Sequence, residues 1–142
     1  MSWESSLHYY RIINEEVKKR LGGFHSAKCV MYSVDFHEIE LLQRNGEWQR
    51  MGVLLAEAAK RLELAGAELL VLCTNTMHKV ADQIQHSVSI PFLHIADVTA
   101  KHIKQQNIDC VGLLGTKYTM EQEFYKSRLE ANTLHVLIPN ED

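Results

Sequence analysis

The sequence predicts an α/β protein with a doubly wound parallel sheet, and three observations support this prediction. Apolar residues recur at helical spacing in several segments, and short runs rich in β-branched and aromatic residues separate them. The run 69–72 (LLVL) is wholly apolar, as expected of a strand buried on both faces of a parallel sheet. The two kinds of segment alternate along the chain, which favours parallel strands joined by helical crossovers.

The elements can be assigned in order from local signals. A first helix is predicted over 4–21, with Ser2 as its N-cap and Gly22 at its end. Residues 28–34 (KCVMYSV) are rich in strand formers, and an amphipathic helix fits 47–65. The remaining predicted elements are a strand at 69–73, a helix at 76–86, a strand at 90–95, a helix that Asp97 caps and that runs to about 106, a strand at 110–115, a helix at 119–130 and a strand at 134–138.

Composition excludes several classes of partner. The chain has 142 residues, of which 46% are hydrophobic, so it can build a real core. A net charge of −3 gives no electrostatic case for nucleic acid or for an anionic membrane surface. The longest apolar run, 69–73, is far below the roughly 18 residues of a membrane span. Three cysteines without a CxxC pair and the absence of an export signal at the N-terminus predict a cytoplasmic protein with reduced thiols.

Two predicted strand ends carry the same chemical pattern. Thr74, Asn75 and Thr76 follow the strand at 69–73, and Thr116 follows the strand at 110–115. Hydroxyl and amide donors beside free N–H groups at helix starts can hold a carboxylate or a phosphate. The alternative is that these side chains only cap helices. The sequence contains no GxGxxG and no GxxxxGK[ST] motif, so a nucleotide is not favoured as the ligand.

Several segments also carry a likeness to a known family. They are MSWES (1–5), YSVDFHEIE (32–40), RNGEW (44–48), LCTNTMH (72–78), PFLHIAD (91–97) and LLGTKYTM (113–120). Together they resemble the aspartate/glutamate racemase family over essentially the whole chain, in particular its enterobacterial members specific for L-aspartate and L-glutamate. The resemblance implies a first lobe at 1–95, without the family's initial strand, and the start of a second lobe at 96–142.

The implied activity is that of a cofactor-independent racemase. Two groups, one on each face of the substrate Cα, exchange the roles of base and acid, and a small dicarboxylic amino acid binds between the lobes. Members of the family are commonly homodimers. The resemblance assigns substrate binding to Met1, Gln43, Arg44, Asn75, Thr76 and Thr116. Asn75, Thr76 and Thr116 would hold the α-carboxylate, whereas Gln43 and Arg44, in the expected loop after the strand at 28–34, suit the distal carboxylate.

The catalytic position differs from the family pattern. The resemblance places Thr74 where the family has its first catalytic cysteine, and Cys73 lies one residue earlier. Neighbours on an extended segment point to opposite sides, so Cys73 and Thr74 do not both face the substrate. If Thr74 faces it, Cys73 is a buried core thiol. A threonine hydroxyl is a much weaker acid than a thiol, so the expected catalyst is one-sided.

Two further features of the family pattern have no counterpart in the sequence. These are the strand before MSWES and the Gly-Cys-Thr-Glu segment of the second catalytic cysteine; Cys110 begins a predicted strand and does not replace it. We therefore expect little or no racemase activity from this chain alone. The alternative is a non-catalytic carboxylate-binding or assembly module with the same fold. A sister enzyme, such as an arylmalonate decarboxylase or a maleate isomerase, fits less well.

Eight histidines raise the question of a metal site. His78, His86, His94 and His102 are evenly spaced, but Pro91 and a predicted strand interrupt any single helix that could align them. The sequence has no HExxH motif and no Cys/His cluster at zinc spacing. We predict no metal site, and we expect His78 to have a packing or surface role.

Overall fold

The computed structural model describes residues 2–139, which contain seven α-helices, one 3-10 helix and four short strands. In chain order they are α1 (Trp3–Leu21), α2 (Phe36–Arg44), α3 (Trp48–Leu64), β1 (Leu70–Val71), the 3-10 helix (Thr76–Val80), α4 (Ala81–Gln85), β2 (Phe92–Leu93), α5 (Ile95–Gln105), β3 (Cys110–Gly112), α6 (Lys117–Glu121), α7 (Glu123–Ala131) and β4 (His135–Leu137). The predicted α/β class is confirmed.

The strands pair in parallel, as predicted, but in two separate two-stranded sheets. β1 pairs with β2, and β3 pairs with β4. The strand predicted at 28–34 is wrong, because these residues join neither ladder in the described part of the chain. Residues with a high strand propensity form a strand only when a neighbouring strand supplies backbone donors and acceptors. The 3-10 helix and α4 form the crossover from β1 to β2, and α6 and α7 form the crossover from β3 to β4.

The first helix begins and ends where the sequence predicts. The Ser5 N–H donates to the Ser2 hydroxyl at 3.4 Å, and Gly22 takes a positive φ of 76° that ends the helix. None of the residues of α1 is buried, and its apolar face, including Leu7 and Tyr10, stays exposed in the described structure.

Gln43 and Arg44 were expected in a loop, and this placement is wrong because they end helix α2. Asp35 caps that helix by accepting a hydrogen bond from the His37 N–H at 3.0 Å. Ile39, on the inner face of α2, is completely buried and anchors the helix to the core.

Three predicted helices are confirmed with altered ends. The helix predicted at 76–86 is a 3-10 helix followed by α4, and the one at 119–130 divides at Gln122, whose backbone is extended. Asp97 was expected to cap the helix before residue 106, but His94 caps it: its Nδ1 accepts from the Ala96 N–H at 3.2 Å. Asp97 lies one turn further on, where it meets a cation of α7.

Two apolar clusters form the core. The first packs α2, α3, β1, the 3-10 helix and α4 around Met51 and Met77. The second packs α5, α7 and β4 around Ala100 and Leu129. The predicted division into lobes at 1–95 and 96–142 stays a prediction. Apolar residues up to Phe92 pack in the first cluster, and those from Ile95 onwards pack in the second. The candidate site lies where they meet.

Candidate functional site

Hydroxyl groups from two strand ends meet at the junction of the clusters. The Oγ1 atoms of Thr76 and Thr116 lie 3.2 Å apart, although forty positions separate them in the sequence. Thr116 Oγ1 also lies 3.1 Å from Thr119 Oγ1 and accepts from the Thr119 N–H at 3.4 Å, so it caps α6. Thr76 and Thr119 are buried. Thr116 therefore has the predicted capping role and also contacts the other strand end.

The two residues before Thr76 are more exposed than Thr76 itself. Asn75 begins the 3-10 helix, but its side chain makes no capping hydrogen bond there and is exposed. The alternative that Asn75 only caps a helix is therefore wrong, and its expected role in binding a carboxylate stays a prediction. Thr74 is half-buried, and its N–H donates to the Leu72 carbonyl at 2.9 Å.

His78 fixes the backbone at Thr74. Its Nδ1 lies 2.7 Å from the Thr74 carbonyl oxygen, and the Ile95 N–H donates to its Nε2 at 3.3 Å. Nε2 must be unprotonated to accept that bond, so the proton sits on Nδ1 and is donated to Thr74. The side chain is only 2% exposed, which confirms the expected packing role. The sequence did not indicate that it also ties the Thr74 loop to α5.

His94 packs directly against His78. The ring centroids are 4.4 Å apart in an edge-on arrangement, and His94 is also buried. Burial, followed by the charge of His94, lowers the pKa of His78 to about 4. Burial and the Arg128 cation lower the pKa of His94 to about 4, against a smaller opposing effect of Asp97 and Asp82. Both rings are therefore neutral at pH 7.

One arginine joins the helices around the two rings. Arg128 of α7 donates to Asp97 of α5 at 2.6 Å, and its second nitrogen lies 3.9 Å from Asp82 of α4. The Asp82 carboxylate is 88% exposed, so its share of the interaction is screened by water. The Asp97 pair is the closer of the two and adds to the apolar packing between α5 and α7.

The sequence did not indicate Lys79, a lysine on the same 3-10 helix as Thr76. Lys79 follows Thr76 by three positions in the 3-10 helix, where residues three apart lie on the same side. Its ammonium sits 4.0 Å from the Trp48 ring centroid, and Trp48 in turn packs edge-on against Tyr118 at 5.4 Å. Burial lowers the pKa of Lys79. The i, i+3 spacing from Thr76 is visible in the sequence, but the contact with Trp48 that holds the lysine is tertiary and gives no local signal.

Cys73 lies on the other side of the strand end. It lines a groove together with Ser6 and Tyr9, whereas neither Thr76 nor Thr116 is among the described residues of that lining. Burial raises the pKa of the Cys73 thiol, against a hydrogen bond with Ser6. Burial, and secondly Cys73, raises the pKa of Tyr9 in turn. A thiol with a raised pKa is a poor base at neutral pH.

The other predicted residues lie elsewhere. The exposed Arg44 guanidinium is 3.8 Å from Glu40 on the same helix, and Gln43 is half-buried beside it. Met1 lies outside the described residues. Within 2–139, no three His, Cys, Asp or Glu side chains converge as a possible metal site. No helix in that range is long and apolar enough to cross a membrane.

Several known proteins are similar to this chain in sequence and in fold. A model of the Asp/Glu/Hydantoin racemase family matches residues 1–142. A candidate Asp/Glu racemase from Yersinia pestis superposes with a TM-score of 0.94 at 60% identity, over 99% of this chain and 61% of the other. An aspartate racemase homologue from Pyrococcus horikoshii gives a TM-score of 0.83 at 36% identity over the same shares. A broad-specificity amino-acid racemase of Bacillus subtilis is 32% identical over 83 residues, which are 58% of this chain and 36% of that protein. The chain thus spans about three fifths of the solved relatives and a smaller part of the Bacillus protein.

Proposed function

Because the chain belongs to the Asp/Glu/hydantoin racemase family, we propose that it binds a small dicarboxylic amino acid of the L-aspartate/L-glutamate class and exchanges the proton on its Cα. The observation that carries this proposal is the 3.2 Å approach of the Thr76 and Thr116 hydroxyls. Each hydroxyl follows a strand end, and each can turn its proton towards a carboxylate oxygen placed between them.

Further donors surround that position. The exposed Asn75 amide lies next to Thr76 in the chain, and α6 begins immediately after Thr116. Lys79 adds a partly desolvated cation on the same side of the 3-10 helix as Thr76. A dicarboxylic amino acid offers two carboxylates, so we assign the α-carboxylate to the hydroxyls and the amide, and the distal carboxylate to Lys79. Arg44 is the weaker candidate for the distal carboxylate because it is exposed and faces Glu40.

Thr74 is the proposed acid/base group on one face of the substrate Cα. The bond from His78 holds its backbone carbonyl in place, and the Cys73 thiol faces the groove on the other side of the strand end. A threonine hydroxyl abstracts a proton slowly, so exchange on this face of Cα is slow in at least one direction. The proposal needs no cofactor, and it includes a cytoplasmic homodimer as the working form.

Binding is tested by calorimetric titration of the chain with L-aspartate and L-glutamate. Thr76→Val preserves shape, removes one hydroxyl and leaves the α6 cap intact, so we expect at least about a tenfold weaker affinity. Lys79→Met should cause a similar loss. Thr99→Val makes the same chemical change on α5, where the Thr99 hydroxyl bonds Tyr125, and should bind like the wild type. Equal affinity of Thr76→Val and Thr99→Val would refute the site.

Catalysis is tested separately by deuterium exchange at Cα in D₂O, followed by NMR. We expect exchange into the L-amino acid that is unaffected by a metal chelator and is lost in Thr74→Ala while binding is kept. Binding without exchange in the wild type would refute the catalytic part. It would instead favour a non-catalytic carboxylate-binding module with the same fold.

A further inference from the structure

The two buried histidines accept hydrogen bonds from the first two residues of α5. The first N–H groups of a helix have no partner within the helix itself. The Ile95 N–H donates to His78 Nε2 at 3.3 Å. The Ala96 N–H donates to His94 Nδ1 at 3.2 Å, and His94 is the cap of α5. His78, in contrast, comes from the 3-10 helix of the first cluster. Its ring thus joins the start of α5 to the loop that carries Thr74.

The surroundings of His78 hold its ring in one orientation. The side chain is 2% exposed, and its ring centroid lies 4.4 Å from that of His94 and 5.5 Å from that of Phe92 on β2. Burial, followed by His94, lowers the pKa of His78 to about 4, against the opposing hydrogen bonds to the backbone of Thr74 and Asn75. The ring is therefore neutral at pH 7 and carries a single proton.

The Ile95 N–H determines which ring nitrogen carries that proton. A nitrogen that accepts a hydrogen bond must have a free lone pair, so Nε2 is unprotonated and Nδ1 is the donor. Nδ1 lies 2.7 Å from the Thr74 carbonyl oxygen, at the short end of the usual range for such bonds. This carbonyl belongs to the planar peptide group between Thr74 and Asn75, so its direction sets the backbone angles of both residues.

The loop before the 3-10 helix has few restraints of its own. Residues 72–74 belong to neither a helix nor a strand. The Thr74 N–H donates to the Leu72 carbonyl at 2.9 Å, which is a bond within the loop. The Asn75 side chain makes no capping hydrogen bond. The bond from His78 therefore ties the Thr74 backbone to groups outside the loop.

We propose that His78 is a positioning residue of the candidate site: its Nδ1–H holds the peptide group between Thr74 and Asn75 in the orientation that the reaction needs, and the start of α5 keeps the ring in the required tautomer. Because Thr74 is the proposed acid/base group, this role rests on the proposed function. A displacement of a reacting group by about 1 Å can lower a rate by about a hundredfold. Loss of the bond should therefore lower the rate of exchange at Cα more than the affinity, which depends on the hydroxyls of Thr76 and Thr116.

Two variants separate the roles of the two ring nitrogens. The amide nitrogen of His78→Asn is as many bonds from Cβ as Nδ1, so it can donate to Thr74 but leaves the Ile95 N–H without its acceptor. The amide group of His78→Gln is as many bonds from Cβ as Nε2, so it can accept from Ile95 but no longer donates to Thr74. Each variant loses one of two bonds at the same buried position and serves as the control for the other.

Deuterium exchange at Cα of L-aspartate and calorimetric titration measure the effect on the reaction. We expect His78→Gln to lower the exchange rate about tenfold or more while its affinity stays within about threefold of the wild type. The exchange rate of His78→Asn should stay within about threefold. Amide hydrogen exchange followed by NMR, without ligand, should become faster at Thr74 in His78→Gln and at Ile95 in His78→Asn.

Three results would overturn the proposal. They are an equal loss of Cα exchange in both variants, faster amide exchange of Thr74 in His78→Asn than in His78→Gln, and a wild-type His78 whose proton is found on Nε2 by nitrogen NMR of the ring. The last measurement needs no variant. A wild type that neither binds L-aspartate nor exchanges its Cα proton would refute the proposed function instead, and the two ligand-free measurements would still decide whether His78 orders the Thr74 loop.

Discussion

Mild acid should destabilise this fold through its two buried histidines. His78 and His94 face each other, and the groups around them are the Arg128 cation, which opposes protonation, and the carboxylates of Asp97 and Asp82, which favour it. The folded pKa of each ring is about 4, below the ordinary value of 6.5. The unfolded chain therefore binds more protons than the folded chain between these two values, and the free energy of unfolding falls as the pH drops through that window.

The magnitude follows from the same pKa values. For each ring, the loss of stability begins as the pH falls below the unfolded pKa of 6.5, and it is complete below about pH 4. Linkage gives a loss of about 2 kcal/mol for each histidine between about pH 7 and pH 5. For both rings the loss is about 4 kcal/mol, a large share of the roughly 5–15 kcal/mol that stabilises an ordinary domain.

Urea unfolding followed by far-UV circular dichroism at several pH values measures this loss. The double variant His78→Gln, His94→Gln removes both titrating rings and should flatten the pH dependence by about 4 kcal/mol, whatever its stability at pH 7. His86→Gln is the matched control, because the Nδ1 of that exposed histidine makes the same kind of backbone bond, 2.6 Å from the Asp82 carbonyl oxygen. It should retain the wild-type pH dependence. If the double variant and the wild type lose equal stability between pH 7 and pH 5, the histidines are not held neutral by the fold.

Two further predictions concern the thiols and the helix junction. Iodoacetamide should modify the exposed Cys110 at least about tenfold faster than Cys73, whose partial burial limits access to the sulfur and raises its pKa; peptide mass spectrometry measures both rates, and equal rates would contradict this difference. Arg128→Met should lower the free energy of unfolding by about 1 kcal/mol because it breaks the pair with Asp97, whereas Asp82→Asn should change it by less than about 0.5 kcal/mol. Urea unfolding at pH 7 distinguishes the two, and an equal effect of both would contradict this assignment.

Local signals account for the elements that the sequence predicted well. The ends of α1 depend on Ser2 and Gly22, which act on their own neighbours in the chain. The prediction of a strand at 28–34 was wrong because a strand forms only with a partner strand, which can lie anywhere in the sequence. His94 was missed as a cap because histidine is an unusual capping residue, and Asp97 nearby is a common one.

The site was predictable in kind but not in arrangement. A hydroxyl after each of two predicted strands is visible in the sequence, although the two strands, β1 and β3, lie in separate sheets. The contact between Thr76 and Thr116 is tertiary, and no local pattern encodes its 3.2 Å distance. Nor does the sequence distinguish Lys79 from other helical lysines, since its importance comes from Trp48, far away in the chain.

The strand end at Cys73 and Thr74 connects the groove to the hydroxyl pair. Cys73 lines the groove, and the carbonyl of Thr74 is fixed by His78 beside the proposed substrate position. The two neighbouring residues therefore have separate surroundings. Cys73→Ser should leave the affinity for L-aspartate unchanged, and calorimetric titration measures it; a loss as large as that of Thr76→Val would show that the thiol, too, faces the substrate.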